Sequence, residues 1–312
     1  MSVDFCGLRL AHRIINGSGT FDAIAARRAF GEELGATFPF AAYVSKTITL
    51  EPREGNPPPR LWEAAAGLIN SIGLPNKGLE GYLREDLPQL AEILDHAGVE
   101  LGARRDGGSG QAAPVPLVTN VMGASAEELS RLVEACDARG EIAALELNVS
   151  CPNVETGLDI GADPRQLEAV VRAVRSRTAK PLIVKLTPNT ADVAACGQAA
   201  QDAGADAVSL INTLRASALS PGRRSDPGRP WLGGRTGGLS GPAVRAVALA
   251  QVEAVAARGT IPVIGMGGVQ STAHARDLID VGATLVAVGT ETFRDPAIAA
   301  QIALGLQEQA IV

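Results

Sequence analysis

No two cysteines in this 312-residue chain stand at C-x-x-C spacing; the four, Cys6, Cys136, Cys151 and Cys196, are scattered. A structural zinc site or an iron–sulfur cluster needs closely spaced thiolates, so neither can be read from this chain, and no metal is expected. Unpaired thiols of this kind fit a reducing compartment. Histidine is scarce as well: His12, His96 and His274 fall in segments that read as loop or helix surface, which leaves no histidine base. There is no unbroken apolar run of the roughly 18 residues a membrane span requires. The first residues, Met1 to Gly7, lack a basic region followed by an apolar stretch, so secretion is not expected and the cytoplasm is. Positive charge is in deficit too, 28 Lys and Arg against 34 Asp and Glu, a net charge of −6. Nucleic-acid binding draws its affinity from neutralising phosphates, so that class of partner is excluded.

What is present is an ordinary globular composition, 46% hydrophobic and 20% charged, long enough for one barrel or two smaller domains. Leu8 to Ile15 reads as a hairpin or strand feeding a flexible loop, Asn16-Gly-Ser-Gly-Thr20, and Phe21 to Leu34 as a helix. Ala41 to Ser45 reads as a strand ending on Lys46. Residues 51–60 carry Pro52, Pro57, Pro58 and Pro59 and cannot be regular structure, and the segment 70–76 continues that long loop. Leu79 to Ala97 is helical in pattern, and residues 101–113 read as a surface insertion. From Pro116 onwards strands and helices alternate. Strands are expected at 117–120, 142–145, 182–186, 207–212, 262–265 and 285–288. Helix starts are marked by the Ser125/Glu128 capping box, Asp163-Pro164, Pro242, Ser271 and Asp295-Pro296. Eight apolar, nearly non-alternating strands with intervening helices predict a (β/α)8 barrel of the TIM type, a single domain over 1–312.

In such a barrel the active site lies at the C-terminal ends of the strands. The stretch Glu146-Leu-Asn-Val-Ser-Cys-Pro-Asn153 runs out of an apolar strand that Pro152 must end, which puts the Cys151 thiol at that face between two asparagines. A free cysteine is often only a small buried hydrophobe, but the flanking Asn148 and Asn153 argue for chemistry here. Lys185 and Lys46 also fall at strand ends, where a lysine reaches the barrel mouth or else sits unpaired in the core at high cost. Asn120 and Asn212 end strands as well, and with Asn148 and Asn153 they could hold a flat polar ring. Gly265-Met-Gly-Gly-Val269 and Val288-Gly-Thr290 suit a phosphate after the seventh and eighth strands, and Gly237-Gly-Leu-Ser-Gly241 offers further backbone donors or a plain glycine-rich start to a helix.

These residues resemble class 1 dihydroorotate dehydrogenases along nearly the whole chain. The resemblance is carried by Asn148-Val-Ser-Cys-Pro-Asn153, Asn70-Ser-Ile-Gly-Leu-Pro-Asn76, Val44-Ser-Lys-Thr47, Val184-Lys-Leu-Thr-Pro-Asn189, Ile211-Asn-Thr-Leu214 and Gly237-Gly-Leu-Ser-Gly-Pro-Ala243. It implies FMN across the barrel mouth, with the phosphate on Gly267, Gly268, Gly289 and Thr290. Around the flavin it implies Gly17, Ser18, Gly19, Lys46, Thr47, Asn120, Asn148, Lys185, Ile211, Gly238, Ser240 and Gly241. On the pyrimidine substrate it implies Lys46, Asn70, Ser71, Ile72, Gly73, Leu74, Asn148, Asn153, Asn212 and Thr213. Cysteine as the base marks class 1, since the membrane-bound class 2 enzymes use serine.

Thr187-Pro-Asn189, Ile211-Asn-Thr-Leu214 and Leu239-Ser-Gly-Pro-Ala243 are similar to the NAD-linked class 1B catalytic subunit and differ from the fumarate-linked 1A type. The insertion 101–113 and the arginine-rich loop 223–235 depart from the pattern. The resemblance implies oxidation of dihydroorotate to orotate in pyrimidine biosynthesis, with Cys151 taking a proton and FMN a hydride, and Lys185 offsetting the charge on the reduced flavin. It also implies a partner subunit with FAD and a [2Fe-2S] cluster, in a homodimer or heterotetramer. Two other readings remain open on the residues. A dihydropyrimidine dehydrogenase-like flavoprotein would act on uracil or thymine and be indifferent to orotate. A silent scaffold barrel would carry no yellow flavin.

Overall fold

The computed structural model describes residues 2–100, 114–150, 160–220 and 228–308. Eight strands form one sheet: β1 (Ile14–Asn16), β2 (Tyr43–Val44), β3 (Leu117–Val121), β4 (Ile142–Asn148), β5 (Leu182–Lys185), β6 (Ala207–Leu210), β7 (Val263–Met266) and β8 (Leu285–Val288). Each is parallel to its neighbours, in the order β1-β8-β7-β6-β5-β4-β3-β2. This is the (β/α)8 barrel. Its strands are buried on both faces, which is why they read as apolar runs rather than alternating ones.

Closure between β1 and β2 uses little backbone. The Ala41 N–H donates to Ile14 O at 2.9 Å, and the Asn16 side chain does the rest. Its Nδ2 donates to Val44 O and its Oδ1 accepts from the Val44 N–H, both at 2.8 Å, so one amide imitates a rung of the ladder. Asn16 is therefore a fixed end of β1 rather than part of a flexible loop.

The helices of the outer ring are α1 (Ala23–Phe30), α2 (Leu87–Glu100), α3 (Ala126–Asp137), α4 (Pro164–Arg175), α5 (Val193–Asp202), α6 (Arg245–Arg258), α7 (Thr272–Asp280) and α8 (Ile298–Glu308). Asp22, Ser125, Asp163, Asp192 and Ser271 each cap one through a side-chain oxygen. The capping box at α3 is displaced by one residue: Glu128 Oε2 accepts from the Ala124 N–H at 2.8 Å, ahead of the cap itself.

Three helical expectations needed correction. The helix expected from Phe21 to Leu34 stops at Gly31, whose φ of 59° favours glycine, and a separate turn follows at Glu33–Ala36. The helix expected from Leu79 begins at Gly78 and passes through one wider π-type turn, Tyr82–Asp86, before α2. Pro88 supplies the reason, because it lacks an N–H and its ring would crowd the Arg84 carbonyl in a tighter helix. Asp295 caps the turn before α8, accepting from the Ala297 N–H at 2.9 Å, and the helix itself starts at Ile298.

Two antiparallel elements complete the fold. A hairpin, Val3–Phe5 with Leu8–Leu10, turns on Cys6 and Gly7, both at positive φ, as a two-residue hairpin turn requires. Phe5 and Leu10 plug the lower end of the barrel, packed with Ile15, Val118, Ala144, Ile183, Ile264 and Leu285. At the other end lies a sheet in the order Leu214–Ala216, Gly237–Ser240, Gly67–Asn70, Leu61–Ala64. The expectation of an unbroken loop over 51–76 is thus corrected: residues 51–60 hold no strand, but a hairpin follows before the loop resumes. The glycine run 237–241 is mostly a strand, and a side chain on Gly237 would strike the Asn70 carbonyl. The insertion 101–113 and part of the arginine-rich loop, residues 223–227, lie outside the described residues.

His12, expected at the surface, is buried in the barrel floor, and its Nδ1 accepts from the Ile14 N–H at 3.2 Å. Burial lowers its pKa to about 4. Because the folded value is depressed, its contribution to stability is complete above the unfolded value near 6.5 and is lost as pH falls toward 4. The shift corresponds to about 3 kcal/mol at most. In urea titrations, His12→Gln should lose less stability between pH 7 and pH 4.5 than the parent; parallel losses would mean that His12 charges freely in the fold.

Candidate active site

Alternation along the strands directs every second side chain into the barrel. Low in the barrel those positions are apolar: Val118, Ala144, Ile183 and Ala207. One step higher on the same four strands they become polar: Asn120 on β3, Glu146 and then Asn148 on β4, Lys185 on β5 and Ser209 on β6, all buried. Asn120 lies opposite Glu146, and Lys185 lies opposite both Asn148 and Ser209. This layer beneath the mouth is built from strand ends, as the sequence led us to expect, except that Glu146 and Ser209 were missed. An acid within an apolar strand, two residues before Asn148 and hence on its face, was the available signal.

Glu146 organises the layer. Its Oε2 accepts from Asn120 Nδ2 at 2.5 Å and its Oε1 from Ser209 Oγ at 2.7 Å. Lys185, only 6% exposed, makes no ion pair or hydrogen bond with another described residue. An ammonium so placed is costly unless something accepts from it. Lys46 stands two residues past β2, not at its end, and is exposed.

Above this layer a chain of contacts joins residues far apart in sequence. Asn148 Oδ1 accepts from Asn212 Nδ2 at 3.2 Å and from the Ser150 N–H at 3.3 Å. Asn212 Nδ2 also donates to Ser150 Oγ at 2.8 Å, and Asn212 Oδ1 accepts from the Thr213 N–H at 2.9 Å. Gly238 packs so closely on Thr213 that no side chain could fit there, and its carbonyl accepts from Asn70 Nδ2 at 3.2 Å. Asn70, Asn148, Asn212, Thr213 and Gly238 are thereby brought together. Ser71 is tied to the Thr236 carbonyl, and the Ile72 carbonyl accepts from the Asn56 N–H. Gly73 and Leu74 both have positive φ, and Leu74 packs on Met122 and Ile160, beside the ends of β3 and β4. Leucine rarely adopts that backbone conformation, and here the packing holds it. Cys151 and Asn153 lie outside the described residues.

The glycine loops meet on the opposite side of the mouth. Gly268 lies against Gly241 and the start of α6, where an added Cβ would come 3.0 Å from the Gly241 carbonyl. A Cβ on Gly267 would press on Ala248 and Ile211. Thr290 Oγ1 donates to Ser240 Oγ at 2.8 Å. Next to them, the Gly17 N–H donates to Val288 O at 2.9 Å, and Ser18 Oγ donates to Ser45 O at 2.8 Å and lies 3.3 Å from Thr47 Oγ1. Gly19, at φ 76°, and Gly289 have open space or ordinary contacts around them.

The model of the family described as dihydroorotate dehydrogenase matches residues 1–309. The chain belongs to that family. Dihydroorotate dehydrogenases are oxidoreductases. Curated relatives match almost end to end. A protein of Desulforudis audaxviator (strain MP104C) is 42% identical over 98% of this chain and 91% of its own length. One from Trichlorobacter lovleyi (strain ATCC BAA-1151 / DSM 17278 / SZ) is 40% identical over 99% and 92%, and one from Geotalea daltonii (strain DSM 22248 / JCM 15807 / FRC-32) is 38% identical over the same shares. All three are named the catalytic subunit of dihydroorotate dehydrogenase B (NAD(+)). A dehydrogenase acting on dihydroorotate is thus favoured over one acting on uracil, and over a silent scaffold. Among the described residues no helix is long and apolar enough to cross a membrane.

Proposed function

We propose that this chain is the catalytic subunit of a class 1B dihydroorotate dehydrogenase, a single barrel domain of the cytoplasm that oxidises dihydroorotate to orotate in pyrimidine biosynthesis. The observation that carries it is the buried trio Asn120, Asn148 and Lys185 beneath a glycine-lined mouth. These residues fit FMN. Asn120 Oδ1 is a buried acceptor with no partner, as a ring N–H would need, and the positive φ of Gly241, Gly267 and Gly268 suits a turn whose backbone could cradle a phosphate.

FMN, when bound, supplies the hydride acceptor. Lys185 would hold the pyrimidine edge of the ring and offset negative charge there. Asn70, Asn148, Asn153, Asn212 and Thr213 would orient the substrate, with Leu74 helping to exclude water. Cys151 Sγ would remove the proton from the carbon beside the ring carbonyl. Two facts about the other candidate bases support that assignment. Burial raises Cys6 to about 11 and Cys136 to about 12, and it raises Cys196 too, while His12 lies in the barrel floor.

Since this chain has no cluster-type cysteine spacing, electrons would reach NAD through a separate subunit carrying FAD and [2Fe-2S]. The purified chain should be yellow, should bleach anaerobically with dihydroorotate but not with dihydrouracil, and should pass electrons to quinones or dyes while leaving NAD untouched. Direct NAD reduction by the chain alone would overturn the two-subunit reading, and efficient use of fumarate would make it a 1A enzyme.

A further inference from the structure

Glu146 is the charged group inside the barrel for which the proposed chemistry has no use. It is 2% exposed and belongs to neither the glycine cradle nor the asparagine chain. Each of its oxygens receives one hydrogen bond, from Asn120 Nδ2 and from Ser209 Oγ. A carboxylate can only accept, so the end of the Asn120 amide that faces it must be the NH2 end. Asn120 Oδ1 is then turned away from Glu146, fully buried and without a partner, which is the expensive state for an acceptor. By contrast, Asn148 has its oxygen occupied by Asn212 and Ser150 and presents its NH2. The two neighbouring amides therefore offer opposite ends, and the carboxylate is what makes them differ.

We propose that Glu146 is a positioning residue: by locking the Asn120 amide with its oxygen outward, it makes that oxygen the acceptor for the ring N–H of the bound flavin. The inference rests on the reading that FMN occupies the mouth. Nothing else among the described residues orients this amide, since the Asn120 backbone N–H is already bonded to Ser45 Oγ and its carbonyl to the Ile48 N–H. A second consequence follows from charge. A carboxylate one residue layer below the flavin opposes extra electron density on the ring, so its removal favours the reduced form.

Glu146→Gln tests this, because glutamine keeps the volume but can donate. The Asn120 amide is then free to turn over and present NH2 to a ring N–H, donor against donor. Flavin binding, measured by fluorescence on the reconstituted apoprotein, should weaken tenfold or more. The reduced flavin should gain about tenfold on the oxidised, a rise of about 30 mV in the two-electron potential. Ser209→Ala removes the other bond to Glu146 while leaving the one to Asn120, so it should move neither quantity by more than about twofold.

The exchange variant Asn120→Asp with Glu146→Gln puts an acceptor back at position 120, donated to by the new amide. It should recover FMN affinity over Glu146→Gln alone, or bind FMN on its own account should the single variant not fold. Unchanged affinity and potential in Glu146→Gln, equal shifts in Ser209→Ala, or an exchange variant that binds no FMN would each overturn the proposal. A parent chain that binds no FMN would instead remove the functional reading on which it rests.

Discussion

Cys151→Ala is expected to retain FMN, to bind orotate at close to the parent affinity, and to lose turnover by roughly a hundredfold or more, the scale of a missing general base. The argument begins with acidity. An ordinary thiol has a pKa near 8.5, so Cys151 acts as a base only where its surroundings favour the thiolate. The chain leading to it is held: Ser150 is bonded through its N–H to Asn148 and through its hydroxyl to Asn212. The position before the thiol is thus fixed by Asn148 and Asn212, two of the residues proposed to grip the substrate. Cys151→Ser should fall between the parent and alanine, with its pH optimum displaced upward because a hydroxyl ionises with far greater difficulty. The measurement is anaerobic stopped-flow bleaching of the flavin by dihydroorotate, and bleaching at the parent rate in the alanine variant would remove Cys151 from the mechanism.

The second large effect is expected at Lys185. Lys185→Met keeps an unbranched chain of similar length in a buried position and deletes only the ammonium. Loss of a preorganised donor at developing charge costs about 10²–10³ in kcat. The flavin potential should also become more negative, opposite in sign to the effect expected for Glu146→Gln. The pair of opposite shifts is a stricter test than either alone, since general loosening of the barrel would move both variants the same way. Spectral titration against a reference dye reads both, and a Lys185→Met enzyme with parent kcat and potential would place its ammonium away from the flavin.

Much of this molecule was legible because its signals are local. Strands β3 to β8 follow from short apolar runs bounded by caps and prolines, and the caps themselves act over three or four residues. The early part was harder. Strand 67–70 pairs with 237–240, far along the chain, and no local pattern reveals such a partner. The glycines at 237 and 238 read as a loop because their reason is a neighbour's backbone or side chain, Asn70 and Thr213, brought up by the fold. His12 looked solvent-exposed for the same reason, since nothing local shows that the hairpin before it packs into the barrel floor.

The sequence by itself determined the barrel, the face on which chemistry could occur, and the residue types delivered there. Strand period and the stop at each strand end fix which side chains emerge at the mouth, and both are properties of consecutive residues. Tertiary structure alone decided how those side chains are turned. Asn120 and Asn148 lie in strand ends and Asn212, expected at one, stands two residues past β6. All are the same residue, yet Asn120 leaves its oxygen without a partner while Asn148 has its oxygen occupied. An amide's orientation depends on which of its ends meets a donor or an acceptor across the sheet. For Asn120 that partner is Glu146, on the neighbouring strand and 26 residues away in sequence.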